Sequence, residues 1–558
     1  MDSNDVAGEP SARGPRLAAS PDLWVIAAWF AVVAAAGFAR RDFTGDGVRH
    51  LWAIVAGDGP HLGEPRWILF PGLLYLLLRP FVVVGLAPTV ESLTRVMMGA
   101  TVLAGTAYML GLRACLVAAH VPERRRAAAL ALAGASSGLF LASTDLMEPI
   151  FGAALVVCAL GWAARRVARM GSTAAEHRRA LLVAVAAIAL AALTYQGLVL
   201  ALGLLPLVFP REVLRDRRAL ALSLAILACV PIFMLGGLAL TGDSVPHALK
   251  RALQGEENPL YRSFLRRPGP MPRVVALVAG PPNGLATLVT FHGFNGLFAS
   301  LRGGPGRSEA LSTLVRFAWG GGIVLAGLLA ALRRKDRGLL VAFAAMMILP
   351  VVRCHQYSYI KFYIFMAVLV AYGAARARPA IVGVMAVGLL WLNVKPTLAT
   401  APAGLADYHE HATVYAQQGP RSCWVTSAWV PTYYFLWPGR ICGVLTTLSG
   451  GHGEVERDVV TAAHVATTSC LEACFCDSSA VLTDDLTDPA GAGNLAGLAR
   501  QFQYTDFDLG ELIEPAARAE RVSPAGASTP IYRYPLADQR RICEGLTRAR
   551  AAPPSTAP

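Results

Sequence analysis

Apolar runs of about 18 residues or more, long enough to cross the ~30 Å hydrocarbon core of a bilayer as helices, recur along this chain at 23–39, 96–119, 180–209, 219–240, 311–332 and 379–394. Further apolar runs lie between them, at 127–143, 146–164, 338–352 and 360–375. A soluble core cannot absorb that much uninterrupted apolar helix. Composition agrees: 55% of residues are hydrophobic and only 16% are charged, and the mean hydropathy of +0.48 lies outside ordinary globular usage. A polytopic α-helical membrane protein of about 10–12 helices is expected. The polar, proline-bearing stretch 1–21 reads as a disordered cytoplasmic N-terminus. The apolar run after it has no small-residue cleavage site and reads as a retained helix.

The net charge of +13 suggests a nucleic-acid partner until it is located along the chain. From residue 400 onward there are 11 Lys and Arg against 17 Asp and Glu, a balance of −6, so residues 1–399 carry +19. That excess sits in short loops between apolar runs, which argues against a nucleic-acid groove and for the positive-inside rule. The clusters are Arg124–Arg126; Arg165, Arg166, Arg169, Arg178 and Arg179; Arg211, Arg215, Arg217 and Arg218; Arg333, Arg334, Lys335 and Arg337; and Arg376 and Arg378.

With all of these cytoplasmic, 127–143 and 146–164 form a hairpin whose tip, STDLMEP, faces outward with Asp145 and Glu148. The run 180–209 must then return to its starting side, either as two half-length helices turning near Tyr195, Gln196 and Gly197, the preferred reading, or as one helix lying obliquely. Segments 41–90 and 241–310 become external loops, and RCHQYSYIK an external turn. Segment 67–87, interrupted by Pro71 and by Arg79-Pro80, reads as a juxtamembrane or re-entrant helix. Segment 274–301 is treated likewise. The rival topology has an external N-terminus and 67–87 crossing. The membrane domain thus covers 22–399.

Residues 400–545 mix strand-like runs (SCWVTSAWV, SAVLTDDL, TPIYRYPL) with helical patterning, which implies a small α/β domain. On this topology the domain is exoplasmic. Its six cysteines, Cys423, Cys442, Cys470, Cys474, Cys476 and Cys543, suit disulfides in an oxidising compartment. The C-x3-C-x-C run CLEACFC could instead offer thiolates to zinc, although no second cluster completes such a site. Residues 546–558 read as a disordered tail.

No P-loop, dinucleotide fingerprint, GxSxG or HExxH occurs, so the chemistry is sought in ionisable residues at the external membrane face. The first loop carries Asp46 at the start of an amphipathic stretch, 46–56, with His50 on it and Asp58, His61 and Glu64 beyond. An acidic loop opening an interfacial helix (TGDGVRHLWAIVAGDGPHLGEP), a proline-bearing apolar segment (RWILFPGLLYLLLRP) and a helix pair with an acidic tip (STDLMEPIFGAAL) resemble the GT-C class of polyprenyl-phosphate-sugar-dependent glycosyltransferases, such as protein O-mannosyltransferases and aminoarabinose transferases. The resemblance covers roughly 20–240. Family members commonly place two acidic residues together in the first loop, whereas here Asp46 is followed by Gly47.

The resemblance implies transfer of a sugar from a polyprenyl-phosphate donor to an acceptor hydroxyl on a glycan, lipid or protein, at the exoplasmic face of a bacterial cytoplasmic membrane. Asp46 would be the catalytic carboxylate, with Asp145 and Glu148 orienting the acceptor, assisting proton transfer or holding a divalent cation, the one cofactor such a cluster could bind. His50, His61 and Glu64 would face substrate. Arg353, His355 and Lys361 would meet the phosphate, with Tyr357 at the interface. Two other readings stand beside this one. The first is a transporter or flippase for a lipid-linked or polar solute, for which ionisable residues would be expected mid-helix rather than at the rim. The second is a non-catalytic envelope-assembly subunit whose acidic residues are helix caps.

Overall fold

The computed structural model describes residues 20–39, 51, 54–55, 70–146, 149–169, 172–240, 329, 332–333, 336–353, 363–426, 440–443, 471–483, 518–523 and 531–551. The membrane domain is a helical bundle. Among the described residues its main helices are α1 (Pro21–Ala39), α2 (Phe70–Val83), α3 (Val90–Ala118), α4 (Glu123–Ala135), α5 (Ser137–Thr144), α6 (Pro149–Val167), α7 (Ala174–Thr194), α8 (Arg217–Leu240), α9 (Arg337–Arg353), α10 (Met366–Ala374) and α11 (Pro379–Ala416). Among the described residues four helices are long and apolar enough to cross a bilayer, or five if the bent pair α4–α5 is one span. The chain is an integral membrane protein by this measure, and its exposed large side chains, such as Trp24, Leu103, Phe233 and Trp391, are those a lipid phase would cover.

Small residues set the packing, as expected where lipid is as apolar as leucine and close approach must supply the attraction. A Cβ added at Gly161 of α6 would lie 2.5 Å from the Gly111 carbonyl oxygen of α3, and one at Gly111 would lie 2.7 Å from the Cys158 nitrogen. Cys158 also donates to the Ala107 carbonyl at 3.1 Å. Residues 107 and 111 thus match 158 and 161 in the same order, so α3 and α6 run parallel. In contrast, α1 and α3 are antiparallel: Asp22 meets Arg113 at one end, and Gly37 meets Met98 at the other.

These pairings gather the arginine clusters at one end of the bundle. Buried Asp22 accepts from Arg113 at 2.9 Å, from Arg126 and from Ser20, joining the start of α1 to the end of α3 and the start of α4. Arg178, near the start of α7, pairs with Asp216, which in turn caps α8 by accepting from the backbone of Arg218 and Ala219. Asp336 accepts from the backbone of Leu339 at the start of α9 and pairs with Arg376 just after α10. Gly338 lies against the Pro206 carbonyl.

Two expectations change in detail. The outgoing half of 180–209 is not half-length. A capping box at Thr173 and Glu176 starts α7 inside the basic loop, and the helix runs 21 residues to Thr194. The chain does turn at Tyr195, which is extended, and returns as a 3-10 stretch, Gln196–Leu204, and a short α-turn, Leu205–Val208. A 3-10 rise of ~2 Å per residue covers more depth than α-helix would. The expected helix 127–143 is instead two, bent by 64°. Ser136, Ser137 and Gly138 are weak helix formers and allow the break.

Because α1 and α3 are antiparallel, the chain between them starts and finishes at the same end, so 67–87 makes no single crossing. Helix α2 is 14 residues long, roughly 21 Å and shorter than the hydrocarbon core. Leu74 and Leu78 are buried, whereas Leu73, Leu76, Leu77 and Phe81 are exposed, as for a helix lying against lipid.

Helix α11 is 38 residues long and continues past residue 400 to Ala416. It leads into a five-stranded sheet of order β2-β1-β3-β5-β4, formed by β1 (Ser422–Thr426), β2 (Arg440–Gly443), β3 (Ala480–Thr483), β4 (Glu520–Arg521) and β5 (Tyr532–Arg533). β1 pairs in parallel with β2 and β3, and β5 is antiparallel to β3 and β4. Helix α12 (Leu536–Ala551) follows β5. Disulfides join Cys423 to Cys474 and Cys476 to Cys543. That corrects the zinc alternative, since bonded Cys474 and Cys476 are no longer thiolate ligands. Tyr534 is buried, packs edge-on against Phe475 at 5.2 Å, and donates its backbone N–H to Val481.

Candidate functional site

The site is built on the break in α4–α5. In a continuous helix the carbonyls of residues 133, 134 and 135 would accept from residues 137, 138 and 139. A bend removes those donors, and in a membrane each open carbonyl must find another. All three do. Ala133 accepts from the Ser136 hydroxyl at 2.6 Å and its N–H at 3.1 Å. Gly134 accepts from the Trp29 indole at 2.9 Å, and Ala135 from the Asn393 amide at 2.5 Å. Helical bonding resumes with Phe140 donating to Ser136. The redirected α5 is eight residues long and ends on Ser143, Thr144 and Asp145, all buried.

Asp145 is 1% exposed and extended (φ −126°, ψ 163°), with one carboxylate oxygen accepting from the Leu146 N–H at 2.7 Å. It lies at the end of the bundle opposite the arginines, since Thr144 packs on Gly37 near the end of α1 whereas Asp22 at its start meets Arg113 and Arg126. A Cβ on Gly37 of α1 would be 3.6 Å from the Thr144 Cα, so the end of α1 lies against the residue that precedes Asp145. From another direction comes the 3-10 turn Tyr363–Phe365, which packs against α5 and α6. Buried Tyr108 of α3 donates its hydroxyl to the Ile364 carbonyl at 2.8 Å and fixes that turn. In sequence the turn begins just beyond RCHQYSYIK, of which only Arg353 is among the described residues.

Of the residues singled out in sequence, Asp145 is described in full, and Arg353 is placed as the last residue of α9. Asp46, Glu148, His50, His61, Glu64, His355, Tyr357 and Lys361 lie outside the described residues. The first loop is nonetheless anchored. Leu51 and Ile54 are fully buried, and Arg79 of α2 donates to the carbonyls of Ile54 at 2.6 Å and Val55 at 3.0 Å. These charge-assisted bonds tie the two residues to α2. Among the described residues, no group of three or more His, Cys, Asp and Glu side chains comes together as a metal site would require.

Sequence reasoning missed Trp29, Asn393 and Tyr108, whose polar atoms each meet a backbone carbonyl on another helix. The available signal was an Asn and a Trp inside otherwise apolar helices, since such groups seek partners when lipid surrounds the bundle.

No family model matches the chain, and no curated protein matches it in sequence. Among solved structures, the chain is similar to ArnT from Cupriavidus metallidurans bound to undecaprenyl phosphate, at 14% identity over 92% of this chain and 97% of that one, with a TM-score of 0.41. It is also similar to the apo oligosaccharyltransferase of Archaeoglobus fulgidus, at 15% identity over 85% and 71% of the two chains, with a TM-score of 0.46. A third similarity is to AglB of the same organism with an inhibitory peptide and a dolichol-phosphate, at 14% identity over 85% and 70%, with a TM-score of 0.45. At TM-scores below 0.5 these likenesses carry no residue-by-residue correspondence.

Proposed function

We propose that this protein is a membrane glycosyltransferase that moves a sugar from a polyprenyl-phosphate donor to an acceptor hydroxyl at the exoplasmic face, by inverting displacement. The observation that carries the reading is Asp145: a buried carboxylate at the end of a bent helix, opposite the arginine clusters, with the end of α1 and the turn Tyr363–Phe365 packed against the same short helix. In sequence, Asp46 follows the end of α1 by seven residues, and His355 and Lys361 lie between Arg353, the last residue of α9, and the turn that packs against α5 and α6.

In this reading Asp46 takes the proton of the acceptor hydroxyl as it attacks the anomeric carbon. The bond to the lipid phosphate breaks, and the leaving phosphate gains charge that Arg353, His355 and Lys361 offset. Asp145 orients the acceptor and, with Glu148, would hold a divalent cation if the reaction uses one. Its burial suits that role, because a fixed carboxylate shielded from water needs no reorganisation as charge develops.

The test is transfer of radiolabel from a panel of polyprenyl-phosphate sugars into membrane extracts, comparing wild type with Asp46→Asn and Asp145→Asn. The expected outcome is transfer by wild type and loss in both variants at unchanged protein level. Undiminished transfer in both would remove the carboxylate mechanism.

A further inference from the structure

We infer that Trp29 and Asn393 are positioning residues for Asp145, acting through the helix break rather than by contact with substrate. The inference rests on the reading of Asp145 just given, and its starting point is the capping of the open carbonyls. Each donor comes from a different helix, α1 for Trp29 and α11 for Asn393, at sequence separations of 105 and 258 residues. Neither bond contributes to a helix of its own. Both converge on two adjacent carbonyls, Gly134 and Ala135, that a straight helix would have satisfied unaided.

Trp29 is also held in place. A Cβ on Gly134 would lie 2.6 Å from its Cδ1, and one on Gly105 would lie 2.9 Å from its Cη2, so the indole is wedged between α3 and α4 where only glycines leave room. The bend is therefore fixed from three sides, by the Ser136 side chain, by α1 and by α11.

The lever is α5. Eight residues make an arm of roughly 12 Å, with Ser136 at its pivot and Asp145 at its tip. Relaxing the bend by about 10° would swing the tip by about 2 Å. Reactive constellations tolerate about 0.5 Å, and a misplacement of ~1 Å costs on the order of 100-fold in rate. Loss of either donor should therefore lower kcat about 100-fold and leave the KM for the lipid donor little changed.

Two variants test this in the full-length protein in detergent. Trp29→Phe removes the indole donor and keeps an aromatic ring in the wedge, whereas Asn393→Leu removes the amide. Carbodiimide and glycine ethyl ester label accessible carboxylates, and peptide mass spectrometry reads Asp145 against Asp22, which is equally buried at the opposite end. The expected result is several-fold faster labelling of Asp145 with Asp22 still protected, together with the kcat loss. Equal protection of Asp145 in wild type and both variants would overturn the inference, as would Asp145 and Asp22 becoming labelled together, which marks general loosening. If Asn393→Leu does not fold, Trp29→Phe decides. If wild type transfers no sugar, the proposed function fails, while the labelling still decides whether the two donors hold the bend.

Discussion

Replacing Asp22 with Asn should destabilise the bundle by about 3 kcal/mol. The carboxylate is fully buried and accepts from Arg113, Arg126 and Ser20. The amide keeps the shape and removes the charge, leaving two guanidiniums facing a neutral group. Breaking a buried ion pair from one side costs roughly 3–5 kcal/mol. The side chains of Arg113 and Arg126 keep 22% and 12% exposure, so water screens part of that charge and the lower end applies. Reversible unfolding in mixed micelles with increasing SDS would measure the difference. A cycle with Arg126→Gln should recover at least 1 kcal/mol of coupling. A loss below about 1 kcal/mol, or purely additive single and double variants, would refute the view that this triad fastens α1 to α3 and α4.

Gly161→Val should destabilise the same bundle by about 3 kcal/mol or prevent folding, because its side chain would meet the Gly111 carbonyl at 2.5 Å; SDS unfolding and yield of monodisperse protein report it. Removing the Cys476–Cys543 bridge as a double serine variant frees a span of 67 residues, which should cost about 4 kcal/mol by loop entropy and show as a lower midpoint for unfolding of the C-terminal domain. Burial pushes the Tyr534 phenol well above its ordinary value of 10.0. The folded domain thus keeps this proton while the unfolded chain releases it, so stability is complete below about pH 10 and falls as pH rises beyond. Tyr534→Phe should flatten that alkaline loss in a circular-dichroism titration, and an unchanged slope would assign it elsewhere.

The helices were legible where an apolar run and its flanking arginines coincide, as at α6 and α8, because both signals are local. The hairpin tip and the turn at Tyr195 were legible for the same reason, since sidedness fixed by loops forces a reversal between them. The break at Ser136 was not. Its local signal, two serines and a glycine, is ordinary in a membrane helix, and what makes it stable is an indole and an amide supplied from distant sequence. Asp22 was hidden differently: it stands at the edge of a polar stretch, and only the fold brings Arg113 and Arg126 to it. Asp145 stood out in sequence as an acidic residue at the tip of an expected hairpin. Its near-complete burial could not be read from neighbours in sequence, because α5 is redirected into the bundle by the bend.

Helix α11 has a mechanical consequence. Thirty-eight residues of α-helix measure roughly 57 Å, about 27 Å more than a bilayer's hydrocarbon core. The C-terminal sheet is therefore mounted on a rod that begins beside Arg376 and Arg378, and the rod sets both its height and its azimuth. Deleting one residue between 403 and 415 would turn the sheet by about 100° and lower it by about 1.5 Å, whereas inserting seven would restore its heading to within about 20° and raise it by about 10 Å. Such a phase series would distinguish a domain that must face the bundle's outer mouth from one that is merely carried above it.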